Sequence, residues 1–308
     1  MFSIIGALLV IAAILGGYLL EKGNVLVLLQ PAELMIIAGA ALGTALIANP
    51  LHILKQIAGS AGKIFKGSPY TKARYIESLK MLYDLFNHAR KEGLAAVEAD
   101  VEDPSKSKIL SVHPSIMGDL HVSQFICDTL RTATTGVVDP FDLDQMMEAD
   151  MECHHHDSTE PVNALATVAD ALPGLGIVAA VLGVVITMGS LGGPPEEIGK
   201  KVAAALVGTF LGILLCYGFV GPLAANLAKL AGEEKSYYQV LRVCMMSFIR
   251  GTPPIVAVEM GRRLIPGHVR PAFQELESLC RNKGAAPAAA GAAAAGAAAP
   301  APPPAKAA

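Results

Sequence analysis

Between Asp170 and Ser190 the chain reads DALPGLGIVAAVLGVVITMGS, an apolar run with an acid and, three residues later, a proline at its start. About 20 apolar residues are enough to cross a bilayer as a helix, so this run limits the chain to membrane architectures. The acid and the proline are both costly there. A carboxylate at the edge of hydrocarbon must face water or a protein interior, and is a functional candidate by default. Pro173 has no N–H for the carbonyl of Ala169, which loosens or bends the helix at that point. A kinked packing helix with Asp170 reaching the headgroups is the plain alternative. A second span repeats the pattern, with Pro222 closely preceded by Gly218 and Gly221.

Composition agrees. The 308 residues are 53% hydrophobic and only 17% charged, with a mean hydropathy of +0.47, too apolar for an ordinary soluble domain. A net charge of −3 speaks against nucleic acid as a partner. Cys127, Cys153, Cys216, Cys244 and Cys280 form no C-x-x-C pair and read as reduced, structural thiols. The first apolar stretch has no basic region before it, so it reads as an uncleaved span rather than a leader.

The first span runs from Ile4 to Leu20 and the second from about Ala32 to Ala48, opened by Gln30-Pro31 and closed by Asn49-Pro50. Gly39-x-x-x-Gly43 in the second suits close helix contact. Lys55, Lys63, Lys66, Lys72 and Arg74 follow that span, whereas the loops on the other side offer Lys22, Lys200 and Lys201. The excess of basic residues places 50–160 and both termini in the cytoplasm.

The loop reads as helical, with a stripe of Ile76, Leu79, Leu82, Leu85 and Phe86 ended by Gly93. Asp139-Pro140 starts a helix through His154, and Glu160-Pro161 opens another that runs to about 190. From Thr132 to Gly199 there is no Lys or Arg, and the acids of that stretch read as a solvated face. The fourth span begins near Val202, and its extension projects inward until Gly251-Thr-Pro-Pro254. The expected fold is therefore all-α: four transmembrane helices with a helical cytoplasmic domain between the second and third. Its parts are two spans over 1–49, the cytoplasmic domain over 50–160 and the last two spans with their extensions over 161–250. C-terminal cytoplasmic helices follow over 251–283, then an Ala/Pro-rich tail over 284–308 that has no core to form.

Gly174-x-Gly176-x-x-Ala179 matches a dinucleotide fingerprint on paper, but it lies inside a span with no strand before it. Cys153-His154-His155-His156 lies beside Asp157, yet consecutive histidines point around a helix rather than to one metal. No pattern argues for an enzyme, a cofactor or a metal. Gly208-x-x-x-Gly212 is a second small-residue face, and Thr209 within it either bonds its own backbone or lines a polar path. No span carries a charged residue near its middle, since Glu33 and Asp170 stand near span ends. A chain that conducts an ion would then take its deep titratable group from another polypeptide. Arg90 and Glu98, on either side of Gly93, would lie about 80° apart on an unbroken helix.

From Met1 to about Leu279 the chain resembles the MotA family of flagellar motor stator proteins. The resemblance is carried by Gly16-Gly-Tyr18, Gln30-Pro-Ala-Glu-Leu34, Ile36-Ile-Ala-Gly-Ala40, Tyr70-Thr-Lys-Ala73, Asp170-x-Leu-Pro173 and Gly176-Ile-Val-Ala-Ala180. Further on it rests on Val207-Gly-Thr-Phe-Leu-Gly-Ile-Leu-Leu215, Tyr217-Gly-Phe219, Pro222-Leu-Ala224, Pro253-Pro-Ile255 and Val258-Glu259. It implies a proton-driven torque generator of the bacterial inner membrane, a homo-pentamer around a dimer of a MotB-like single-span partner whose aspartate carries the ion. Pro173 and Pro222 then fall on the family's functional prolines, and Asp170 also matches. Arg90 and Glu98 fall on the charged pair that meets the rotor protein FliG. Ala180 is similar to proton-type members, where sodium-type members tend to have a hydroxyl, and Thr209 is shared by both types. An energiser subunit of the ExbB and TolQ type is the alternative, but it has three spans. The Cys-His-His-His run and the tail depart from the family pattern.

Overall fold

The computed structural model describes residues 2–189, 192 and 194–281. Among these, all regular structure is helical. Helix α1 spans Phe2–Leu20, and a short α2, Val25–Leu28, follows with Asn24 Oδ1 accepting from the Leu26 amide at 3.0 Å. Helix α3, Pro31–Ala48, has proline in its first turn, where a missing N–H costs nothing. Asn49-Pro50 ends it, and α4, Leu51–Lys66, restarts at once.

The loop domain begins with α5, Lys72–Glu92, capped by Thr71, whose hydroxyl accepts from the Arg74 amide. Gly93 then takes φ +92°, a conformation that side chains resist, and α6, Leu94–Glu102, leaves in a new direction. Helices α7, Pro114–Met117, and α8, Leu120–Thr134, complete the loop. Helix α9 runs without interruption from Pro140 to Met188, 49 residues and roughly 74 Å. Helix α10, Pro195–Leu214, a π-helical segment, Leu215–Val220, and α11, Gly221–Ile249, are continuous with one another. After Gly251 at φ +90° come α12, Pro254–Leu264, and α13, Phe273–Arg281.

Four helical stretches are long and apolar enough to cross a membrane: Ser3–Leu20, Val25–Ala48, Pro140–Met188 and Pro195–Ile249. The last two pack against each other along their length and continue into the loop domain as a pair of stalks. The loop-domain core is built on the stalk α11. Tyr237, Leu241 and Met245 are fully buried against Tyr75, Leu79, Leu82 and Phe86 of α5. The Ser78 and Tyr237 hydroxyls lie 2.6 Å apart, and the rings of Phe86 and Phe248 stack at 4.3 Å.

Two expectations are corrected. No helix starts at Glu160-Pro161, because Pro161 is buried inside α9 and the boundary at 160 falls within an unbroken helix. An internal proline costs about 3 kcal/mol. Val162, the next residue, packs on Leu227 of the neighbouring stalk. Tertiary packing outweighs the break. The second correction concerns Gly39 and Gly43: a Cβ on either would meet nothing within 4 Å, so this face makes no close contact within the chain. The tail assigned to 284–308 lies outside the described residues.

Candidate ion path and proline joint

The third and fourth spans meet through glycine. A Cβ on Gly176 would stand 2.8 Å from the Gly208 carbonyl and 3.0 Å from the Gly212 Cα, so the backbones touch directly. Gly208-x-x-x-Gly212 therefore does what its spacing suggests; of the Gly174-x-Gly176 pair only Gly176 takes part in the contact, and a Cβ on Gly174 would meet nothing within 4 Å.

The joint lies one turn inward. Pro173 is half-buried within α9, and Ala169 and Leu172 in the turn before it are buried against Cys216 of the π-helical segment. That segment is how the fourth span accommodates Pro222. The chain shifts to an i→i+5 register, in which the Gly221 amide bonds the Cys216 carbonyl, and Pro222 enters in the first turn of α11. Sequence reading found Pro222 and missed the π register, whose local signal is the pair Gly218 and Gly221. Asp170 is exposed beside the joint on the single chain and makes no hydrogen bond or ion pair.

Toward the other end of the same helix pair, Ile177, Ala180, Val181, Val184, Ala205 and Leu206 line an apolar groove of about 250 Å³. Ile177, Val181 and Leu206 are more than half exposed there. Ala180 stands level with Gly208, whose Cβ would lie 3.3 Å from the Ala180 amide nitrogen. Thr209 is the next residue, half-buried. Threonines 44, 167 and 187 each bond a carbonyl one turn back at 2.8–2.9 Å, whereas the Thr209 hydroxyl makes no such bond. It is free to face a polar path.

Arg90 and Glu98 are exposed and unpaired, on α5 and α6 either side of the turn at Gly93. The break replaces the single helical surface on which their spacing would be measured. The histidine run also separates: His154 turns to Glu234 at 3.2 Å and His156 to Glu160 at 3.7 Å. Among the described residues no group of three or more such side chains is arranged to hold a metal. One further acid went unweighed at depth. Glu33 turns inward from the start of α3 and is buried against α9 and α10.

Comparison with known proteins fits this arrangement. Residues 4–93 match the family described as motility protein A N-terminal, and 119–239 match the MotA/TolQ/ExbB proton channel family. Motility protein A of Escherichia coli is 40% identical over 281 residues, covering 91% of this chain and 95% of that protein. Chemotaxis protein LafT of Vibrio parahaemolyticus is 33% identical over 277 residues, 90% of this chain and 97% of that one. The flagellar MotAB stator complex from Bacillus subtilis contains a chain of similar fold, with a TM-score of 0.68 at 25% identity, covering 83% of this chain and 92% of that one. For C. jejuni MotAB the TM-score is 0.71 at 19% identity, over 86% and 95%. The protein is a multi-pass membrane protein with four apolar spans, and the chain belongs to the motility protein A (MotA) family.

Proposed function

We propose that the protein is the MotA-type half of a flagellar stator, which with a MotB-like single-span partner couples inward proton flow to torque on the rotor protein FliG. The carrying observation is the joint at Pro173 and Pro222, placed between a groove that a partner helix would fill and stalks that enter the cytoplasmic domain. The exposed apolar groove needs a covering in lipid or protein, and a single apolar helix has the shape for it. Solved relatives are complexes of MotA and MotB, and the N-terminal family match supports this reading over an ExbB-type energiser. The assembly is a pentamer around a partner dimer in the inner membrane, with both termini in the cytoplasm.

The ion is H⁺. A sodium site needs several oxygen ligands to replace the ion's water, and Ala180 offers no side-chain oxygen beside Thr209. The test is proton flux in liposomes, with the chain alone and with its partner. Flux is expected only with the partner and without dependence on sodium. Robust flux through the chain alone, or flux that stops when sodium is withdrawn at fixed potential, overturns the reading.

A further inference from the structure

Among the described residues no other Asp or Glu is as deeply buried as Glu33, which is 7% exposed. It follows Pro31 at the start of α3 and shares the buried face of that helix with Ile37, Ala41 and Ala45. Its carboxyl reaches between the third and fourth spans. A Cβ on Gly208 would stand 2.7 Å from Glu33 Oε2, and one on Gly183 would stand 3.3 Å from Oε1. Only glycine leaves this space. Gly208 is six residues inside the apolar part of its span, about 9 Å along the axis.

Oε2 has no hydrogen-bond partner, and neither oxygen forms an ion pair. The facing elements supply no counter-charge: α2 and the rest of α3 carry no charged residue, and neither does α9 after Asp170. On α10 the charges are Glu196, Glu197, Lys200 and Lys201 in its outer turns, paired as Lys200 with Glu196 and Lys201 with Glu197. A carboxylate left ionised and unpartnered in such surroundings is strongly disfavoured, a cost that a bound proton removes. The wall between this carboxyl and the apolar groove is thin. Ala180 and Ala205 line the groove, and the Gly183 and Gly208 positions that touch Glu33 also touch Ala205 and Ala180.

We propose that Glu33 is a proton-holding station on the outer half of the ion path. A Glu33 oxygen accepts H⁺ from water on the outer side and becomes a neutral acid. It then releases that proton through water to the partner's carboxylate, and the Glu33 carboxylate re-forms. This rests on the stator reading above.

The test uses the full chain purified with its single-span partner, in liposomes, comparing the unaltered complex with E33Q and E33D. E33Q keeps the shape and removes the titratable proton, so flux should fall by roughly tenfold or more while yield and size of the complex stay unchanged. E33D should retain more flux than E33Q. Infrared difference spectra between two outer pH values should show a carboxylic-acid C=O band that E33Q lacks, a signature that a merely structural contact would not give. Wild-type flux in E33Q overturns the proposal, as does slow flux without such a band. Should E33Q fail to assemble, a titrating band shifted in E33D supports the station and an unshifted one overturns it. If the unaltered complex conducts no protons the stator reading fails, and the infrared band still decides whether Glu33 holds a proton.

Discussion

Gly212 faces Gly176 so closely that a Cβ on Gly212 would lie 2.8 Å from the Gly176 Cα and 2.6 Å from the Leu172 carbonyl oxygen. Both obstacles are backbone, which cannot rotate aside. Gly212→Ala should therefore force the third and fourth spans apart at a cost of about 1–3 kcal/mol. Thermal unfolding of the purified complex should show a lowered midpoint. Gly39→Ala, on a face with nothing within 4 Å, is the control and should leave the single chain unaffected.

Arg90 and Glu98 project from separate helices and pair with nothing in the chain. Exposed charges contribute only about 0–1 kcal/mol each to folding, so reversing them should spare stability. Charges across an interface chiefly steer orientation and encounter. Arg90→Glu should impair swimming while the complex accumulates normally, and a reciprocal charge change on the rotor partner should restore part of it. Normal swimming with Arg90→Glu and Glu98→Lys combined would remove these residues from the rotor contact.

The same contrast shows what was legible in the sequence. Apolar length and basic asymmetry suffice for four spans and a helical loop, because hydrophobic burial is set by runs of residues. Asp139 and Gly93 mark helix ends because caps and left-handed turns are local. Pro161 misled, since the break is outweighed by the packing of Val162 on Leu227, which is distant in sequence. Glu33 was judged by its distance along its own helix, whereas its depth is set by Gly183 and Gly208 on two others. Its place on the i, i+4 stripe with Ile37, Ala41 and Ala45 was the signal that would have found it.

On α12, Glu259 holds Arg262 with two hydrogen bonds of 2.6 and 2.8 Å and Arg263 with one of 3.0 Å. Arg262 also donates to the Pro271 carbonyl at 2.9 Å, which ties α12 to the segment before α13. The Arg262 fork, helped by Arg263 and opposed by burial, holds the Glu259 carboxyl below its ordinary 4.5. A carboxyl depressed by folding contributes stability that is present above the unfolded value and lost as pH falls through the folded one. Glu259→Gln should therefore lower the unfolding midpoint at neutral pH. Below about pH 4.5 the difference from wild type should shrink. A gap that stays constant with pH would assign the effect to packing alone.

The two long helices are pinned on both sides of the proline joint. Within the apolar spans Gly176 meets Gly212, and on the loop-domain side Asp144 takes Arg242 at 2.7 Å and Arg250 at 2.8 Å. Pro173 and Pro222 both lie between those pins, with the π-helical segment packed against the turn before Pro173. Any rearrangement must therefore be taken up inside this stretch, where the hydrogen-bond register is already irregular. On the proposed function, loss of charge on the partner's carboxylate would alter the balance by a few kcal/mol at most, which asks for two packings of nearly equal energy at the joint. Pro173→Ala gives the Ala169 carbonyl an N–H partner and stiffens one of them without adding bulk. The variant should insert, assemble with its partner and reach the motor, yet give little or no torque under load. An assembled Pro173→Ala motor that turns at wild-type speed would make the proline a packing residue. Arg242→Ala is the comparison that separates the two: it weakens the pin at Asp144, where Arg250 remains, but leaves the register at Pro173 as it is. It should therefore loosen the loop domain and leave more torque than Pro173→Ala.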